Sequence, residues 1–390
     1  MSDDVTSFRI EIPDADLDDL RDRLHRTRWP EAETVDDWSQ GVPLAYLRDL
    51  CEYWADGYDW RATEARLNAL PQFRTRIDGL GIHFIHARSP HPDALPLVIT
   101  HGWPGSIVEF LKVIGPLTDP TAYGGDAADA FHVVCPSLPG YGFSDKPARP
   151  GWNVQRIAGA WAALMARLGY DRYGAHGGDW GSVISRALAN VAPDHVVGVH
   201  LNYLPTPPLP GIEAELSDAD LGRLDTIKAL VAQKPGYQVL MATTPQTIAY
   251  GLTDSPVSQL TWIAEKFDEW SDPRSPIDVD RLLTNVMLYW LTGTANSSAR
   301  LRKESPGPAP YCDVPIGVAV FPYDITLAVR PLVERQFTVA RWTEFDRGGH
   351  FAATEAPDLL AADVIAFFET LRPKKRRDVS SISSDARSQE

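Results

Sequence analysis

Gly177-Gly178-Asp179-Trp180-Gly181-Ser182 stands between a short run of strand character, Arg172–Ala175, and a helical pattern. Small residues flanking one polar residue suit a strand that turns sharply into a helix. Larger side chains would collide at such a bend, and the central side chain is left standing above the sheet. The sextet therefore reads as a nucleophile elbow whose central residue is aspartate. Serine attacking an sp³ carbon would leave an ether that water does not readily cleave, whereas aspartate leaves an ester that it does. The expected electrophile is an alkyl carbon, in an epoxide or bearing a halide. The plainer reading is an aspartate that only caps the following helix, so the rest of the chain has to choose.

Outward from the elbow, the runs Leu95–Thr100, Phe131–Cys135 and Val196–Leu201 read as buried strands, separated by helical patterns such as Val154–Leu168. That alternation predicts an α/β fold with a parallel sheet covered on both faces. After the first of these strands comes His101-Gly102-Trp103-Pro104-Gly105-Ser106. Such a loop donates a backbone N–H, and those of Trp103 and Trp180 are expected to form an oxyanion hole. His101 and His176 are expected to be structural. Leu204–Gly211, with four prolines, ends the rhythm, and a mainly helical insertion follows. One of its helices opens on the capping box Ser217-Asp218-Ala219-Asp220. Strands resume at Pro315–Phe321 and Arg341–Phe345, and a helix over about Pro357–Leu371 closes the fold.

Ahead of the sheet lie three amphipathic segments. Asp14–Arg28 aligns Leu17, Leu20 and Leu24 and stops at Trp29-Pro30. A second segment aligns Leu44, Leu47, Cys51 and Trp54 up to Gly57, and a third carries Leu67 and Leu70 to Pro71. Phe73–Ile77 and Ile82–His86 about Asp78-Gly79 predict a hairpin. The expected division is a wrapping segment with the hairpin over 1–94, core over 95–204, helical lid over 205–312, core again over 313–372 and a disordered tail over 373–390.

In elbow folds the chain order is nucleophile, acid, histidine. His195 and His200 lie within one strand unit of Asp179, which leaves His350, in the glycine turn Arg347-Gly348-Gly349-His350-Phe351-Ala352, as general base. Its orienting acid is expected at a strand end: Asp324, just past Phe321. Asp346 competes, but it ends the strand leading to His350 and would have to fold back. No metal or cofactor is required by this chemistry. His83 and His86, an odd number of positions apart in a strand, face opposite sides and do not pair as ligands.

The 390 residues are 44% hydrophobic and 23% charged, with 37 Lys and Arg against 52 Asp and Glu. A net charge of −15 argues against nucleic acid and anionic lipid as partners. The longest apolar run, Ile157–Ala166, is too short to span a membrane, and Met1–Ile10 is polar and acidic where a signal peptide needs bases. A cytoplasmic protein is expected. Cys51, Cys135 and Cys312 are too scattered for a disulfide framework. Lys374-Lys375-Arg376-Arg377 and the Ser-rich end read as a solvated tail.

Taken together, HGWPGS at His101–Ser106, PSLPGYGFS at Pro136–Ser144, GGDWGS at Gly177–Ser182, SPV at Ser255–Val257, TNVMLYW at Thr284–Trp290 and RGGHFAA at Arg347–Ala353 resemble the microsomal-type epoxide hydrolases in content and order. The resemblance implies an α/β-hydrolase core, an N-terminal wrapping segment and a helical lid. The family's membrane anchor finds no counterpart, so a soluble member is implied, one that could form a homodimer. The resemblance further implies that Asp179 attacks the epoxide, that His350, oriented by Asp324, activates water, and that lid tyrosines donate to the ring oxygen. Tyr237 matches the first of those tyrosines. Where the second usually stands, the chain reads Ser297-Ser298-Ala299-Arg300-Leu301-Arg302-Lys303-Glu304, which places Arg302 there. Arginine does not give up a proton usefully, although its charge can stabilise an alkoxide. Tyr289 and Tyr311 are read as packing residues. Twelve tryptophans and thirteen tyrosines suit an apolar or aromatic epoxide. Two alternatives stay open: a haloalkane dehalogenase, which also has Asp-Trp-Gly at the elbow, and a non-catalytic binding protein on a hydrolase scaffold.

Overall fold

The computed structural model describes residues 4–205, 211–212, 215–233 and 235–372. Most of the proline-rich stretch, Lys234 and the whole 373–390 tail with its basic run lie outside the described residues. Among the described residues nine strands form one sheet: β1 (Thr6–Ser7), β2 (Gln72–Ile77), β3 (Leu80–Ala87), β4 (Leu95–Thr100), β5 (Phe131–Pro136), β6 (Tyr173–Gly177), β7 (Val196–Leu201), β8 (Ile316–Val320) and β9 (Val339–Glu344). Their order is β1-β2-β3-β5-β4-β6-β7-β8-β9. Pairing is antiparallel from β1 through β3 to β5, and parallel from β5 onward.

The hairpin turns on Asp78 and Gly79, both at positive φ (51° and 79°), the backbone of a tight two-residue connection. β3 is buried along its whole length rather than on alternate residues, because it lies between β2 and β5 with both faces covered. The first helix, Asp14–His25, is shorter than its periodicity suggests: the Thr27 hydroxyl turns back onto the Leu24 carbonyl and closes it early. The helices Leu44–Asp56 and Trp60–Asn68 end at Gly57 and ahead of Pro71.

Between β7 and β8 come helices over Asp218–Gln233, Gly236–Thr243, Pro245–Asp254, Pro256–Trp270, Val279–Thr292 and Ala295–Glu304. The first carries the expected capping box, with Ser217 and Asp220 exchanging backbone-to-side-chain bonds. The N-terminal helices grip this insertion: Trp54 Nε1 donates to Met287 Sδ, Tyr53 donates to Asp280, and the hydroxyls of Tyr58 and Thr284 bond each other. The helix so held reaches the loop after β4, where Asn285 and Tyr289, one turn apart, donate to the carbonyls of Pro104 and Gly105. Tyr289 is thus buried, while Tyr311, expected to pack, is 54% exposed beside the ring of Phe337. Among the described residues no helix is long and apolar enough to cross a membrane.

β4 and β6 run in register from Leu97 opposite Gly174 to Thr100 opposite Gly177, so both chains leave the sheet side by side. The helix after β6, Asp179–Val191, then starts pressed against β4. A methyl group on Gly181 would run into the Thr100 carbonyl, and one on Gly177 into the backbone of Gly181. Neither obstacle is a flexible side chain. Gly181→Ala should therefore destabilise the protein by at least about 2 kcal/mol, within the range of core overpacking. Chemical denaturation followed by tryptophan fluorescence measures this, and an unchanged midpoint would refute the packing argument.

Candidate active site

Asp179 sits at φ 46°, in the left-handed region that residues with a Cβ occupy at a cost of about 1–3 kcal/mol. The bend imposes this strain and lifts the carboxylate above the strand ends. Gly102 lies close beneath, where a Cβ would strike the Asp179 side chain. The Trp103 N–H donates to Asp179 Oδ1 at 2.8 Å, and the Trp180 N–H also bonds the carboxylate. Burial raises the Asp179 pKa above its ordinary value, while His350, these two N–H groups and Arg302 pull against it.

His350 enters from the loop after β9. Its Nε2 lies 3.7 Å from Asp179 Oδ2, and its Nδ1 is 2.7 Å from Asp324 Oδ1. The two loops meet through a parallel bridge between Tyr323 and Gly349, which extends the β8–β9 pairing past the strand ends. Asp324 is buried, and its second oxygen has no hydrogen-bond partner among the described residues. Asp346 is exposed, and its carbonyl accepts from Arg274. Burial by itself would lower the His350 pKa, but Asp324, Asp179 and Glu109 outweigh it and push it up to about 9. The imidazole is accordingly a cation at neutral pH, held between two carboxylates.

Several residues of this site have no sequence signature. The Trp270 carbonyl accepts from the His350 N–H at 2.8 Å, and the Trp270 and Tyr203 rings stand edge-on to the imidazole at 5.0 and 5.4 Å. Glu355 takes the N–H groups of Phe351 and Asp272 on its two oxygens, which ties the His350 turn to the end of the helix Pro256–Trp270. Burial pushes Glu355 up to about 7 and Glu109, over Gly105, up to about 8, so Glu109 is mostly protonated at neutral pH.

Tyr237 stacks on Trp103 at 5.4 Å and 13°, and leans on Trp270 at 5.4 Å. Trp262 closes on Trp103 at 6.2 Å. Above the Tyr237 ring, 5.0 Å from its centroid, sits the buried ammonium of Lys266, paired with Glu265 and Glu269. Arg302, from the helix Ala295–Glu304, stands 5.9 Å over the Trp180 ring and donates to Gln238 Oε1 at 2.7 Å, while Gln238 Nε2 donates to the Tyr237 hydroxyl at 2.9 Å. His101 accepts from the Leu138 N–H, and His176 bonds His200, so both are held inside the core.

An elbow on an inner strand, facing donors in the neighbouring loop and a histidine returning after the last strand, defines an α/β hydrolase, and residues 96–236 match the model described as the alpha/beta hydrolase fold. Residues 5–110 match a second model, the epoxide hydrolase N terminus. The chain is 51% identical over 378 residues to a Stigmatella aurantiaca protein provisionally named an epoxide hydrolase, covering 95% of this chain and 86% of that protein. It is 35% identical over 404 residues to Sus scrofa epoxide hydrolase 1, covering 94% and 89%. The solved Aspergillus niger epoxide hydrolase superimposes with a TM-score of 0.87 at 33% identity, covering 95% of this chain and 97% of that one. The chain belongs to the epoxide hydrolase family of enzymes.

Because negative charge sustains the His350 pKa, removing one of those charges must lower it. In Asp179→Asn the imidazole should titrate well below the about 9 it has beside the intact carboxylate, as followed by NMR of its ring protons. An unmoved midpoint would show that Asp179 and His350 are not electrostatically coupled.

Proposed function

We propose that this enzyme converts an epoxide and water to a vicinal diol through an ester on Asp179. Asp179 Oδ2, the oxygen not held by Trp103, attacks a ring carbon. As the new C–O bond forms, the ring C–O bond breaks, its electron pair stays on the ring oxygen, and Tyr237 gives that oxygen a proton. Esterification removes the Asp179 charge that helped keep His350 protonated; the imidazolium gives up its proton, which restores the Tyr237 phenol, and the imidazole becomes a base only when one is needed. His350 Nε2 then takes a proton from water, whose oxygen attacks the ester carbonyl carbon. The resulting oxyanion, on Oδ1, faces the Trp103 N–H, and the Trp180 N–H bonds the same carboxyl group. Its collapse breaks the bond between the carboxyl carbon and Oδ2, and the alkoxide so released takes the proton of the carboxyl group just formed, which gives the diol and restores the Asp179 carboxylate beside the His350 imidazolium.

The observation that carries this reading is the stacking of Tyr237 on Trp103, whose N–H holds the nucleophile: a phenol and a carboxylate are both held by the same tryptophan. A departing halide needs N–H donors and no proton, so a placed phenol favours the epoxide over the haloalkane. The aromatic walls suit an apolar or aryl epoxide. Three buried free thiols suit a cytoplasmic setting.

Without its base the enzyme should stop at the ester. Intact-protein mass spectrometry of His350→Gln after exposure to aryl and alkyl epoxides should show a mass gain equal to the whole epoxide, mapping to Asp179 and absent from an Asp179→Ala companion. A gain from haloalkanes alone, equal to the alkyl group, would make the protein a dehalogenase. Tyr237→Phe should slow ester formation at least about tenfold, a conservative share of the roughly 10²–10⁴ that one positioned acid contributes. Full turnover in that variant would remove Tyr237 from its role.

A further inference from the structure

Arg302 occupies a place where a proton donor is expected, yet it does not face the nucleophile alone. It bonds Gln238, and Gln238 bonds Tyr237. The chemistry of the three side chains fixes the direction of both bonds. A guanidinium only donates, so the Gln238 amide must turn its oxygen to Arg302, which leaves its NH₂ for Tyr237. The Tyr237 oxygen, already accepting from that NH₂, keeps its own hydrogen free to donate elsewhere. We propose that Arg302 and Gln238 form a fixed relay that makes Tyr237 the single acid of ring opening, with Arg302 and Gln238 as positioning residues in place of a second lid tyrosine.

This rests on the reading of Tyr237 as the proton donor to the opening ring. When the proton leaves, the electron pair of its O–H bond stays on the phenol oxygen, and the charge that began on Asp179 ends there. The Gln238 N–H then bonds a phenolate, a stronger acceptor than a phenol, and Arg302 supports the same amide from its carbonyl end. Charge stabilisation thus grows as the reaction proceeds, the condition for an interaction to speed a step rather than to hold the ground state. The raised Tyr237 pKa, caused first by burial and opposed by Gln238 and Arg302, agrees with a phenol that stays protonated until the ring opens. Placement on two helices, Gly236–Thr243 and Ala295–Glu304, makes the relay a property of lid packing.

Arg302 also lies near enough to Asp179 to act on it directly, and the test must separate the two routes. Ester formation from styrene oxide is timed by rapid quench and intact mass in the His350→Gln background. Arg302→Met and Gln238→Leu should each slow it about tenfold or more, the double variant should be no slower than the worse single one, and Arg302→Lys should recover part of the rate. When Tyr237→Phe is already present, Arg302→Met should have no further effect. Thermal midpoints identify any variant that merely misfolds, and Arg302→Gln replaces Arg302→Met in that event. An Arg302→Met rate within about twofold of the parent overturns the relay, as does a full Arg302→Met effect on top of Tyr237→Phe, which would put the arginine on Asp179. Absence of any ester in the parent overturns the function it rests on, a separate outcome.

Discussion

Everything in the site follows from how closely the helix after β6 approaches the end of β4. Gly181 lies against the Thr100 carbonyl with no room for a methyl group, so the chain must turn as soon as it leaves the strand. That turn forces Asp179 into a left-handed backbone and points its carboxylate at the neighbouring loop. The loop, in register with the elbow through the Thr100–Gly177 pairing, presents the Trp103 N–H at hydrogen-bond distance. Backbone packing thus sets the relation between the Asp179 carboxylate and the Trp103 N–H before any side chain has a choice of rotamer.

The electrostatics are built on the same frame. Asp324 and Asp179 flank one imidazole, and a buried cation with two carboxylate neighbours is more favourable than any of those charges alone. Glu109 stays mostly neutral at neutral pH, which limits the repulsion that a third carboxylate would add. In the proposed reaction this arrangement depends on charge being consumed in the first chemical step: with Asp179 esterified, the imidazole loses one of its two neighbouring anions and its proton becomes easier to lose. An enzyme that needed the base from the outset would gain nothing from a histidine held at about 9.

Legibility in the sequence follows the range of the interactions involved. Elbow, loop and glycine turn are local solutions to steric and hydrogen-bonding demands, so Asp179, Trp103 and His350 stand in recognisable words. Asp324 is legible from topology, being just past the end of a strand, and the bridge from Tyr323 to Gly349 is the tertiary feature that brings it beside His350 while Asp346 points to solvent. Gln238, Trp270, Lys266 and Glu355 are not legible in this way. Each sits on a helix or helix end whose face is chosen by packing against other helices, and a glutamine or a lysine within an amphipathic pattern looks the same whether it faces solvent or a phenol. The helix Asp14–His25 and exposed Tyr311 show the opposite limit, where a pattern or residue type promises more length or burial than packing delivers.

The N-terminal segment acquires a role from this geometry without touching the chemistry. Its tyrosines and Trp54 grip the helix Val279–Thr292, and that helix in turn fixes the carbonyls of Pro104 and Gly105 through Asn285 and Tyr289. The Trp103 N–H lies in the peptide unit with Gly102, a short way along the same loop from those carbonyls, so the loop is anchored just past its donor. The loop is therefore held at two points, by β4 where it leaves the sheet and by the helix Val279–Thr292 beyond Trp103. The helix Val279–Thr292 thus braces the loop that carries Trp103, and the next helix along carries Arg302 to Gln238. In the proposed reaction the donor loop and the acid are coupled through these helices, and an N-terminal segment to which that reaction assigns no reacting atom still helps to set where the reacting atoms stand.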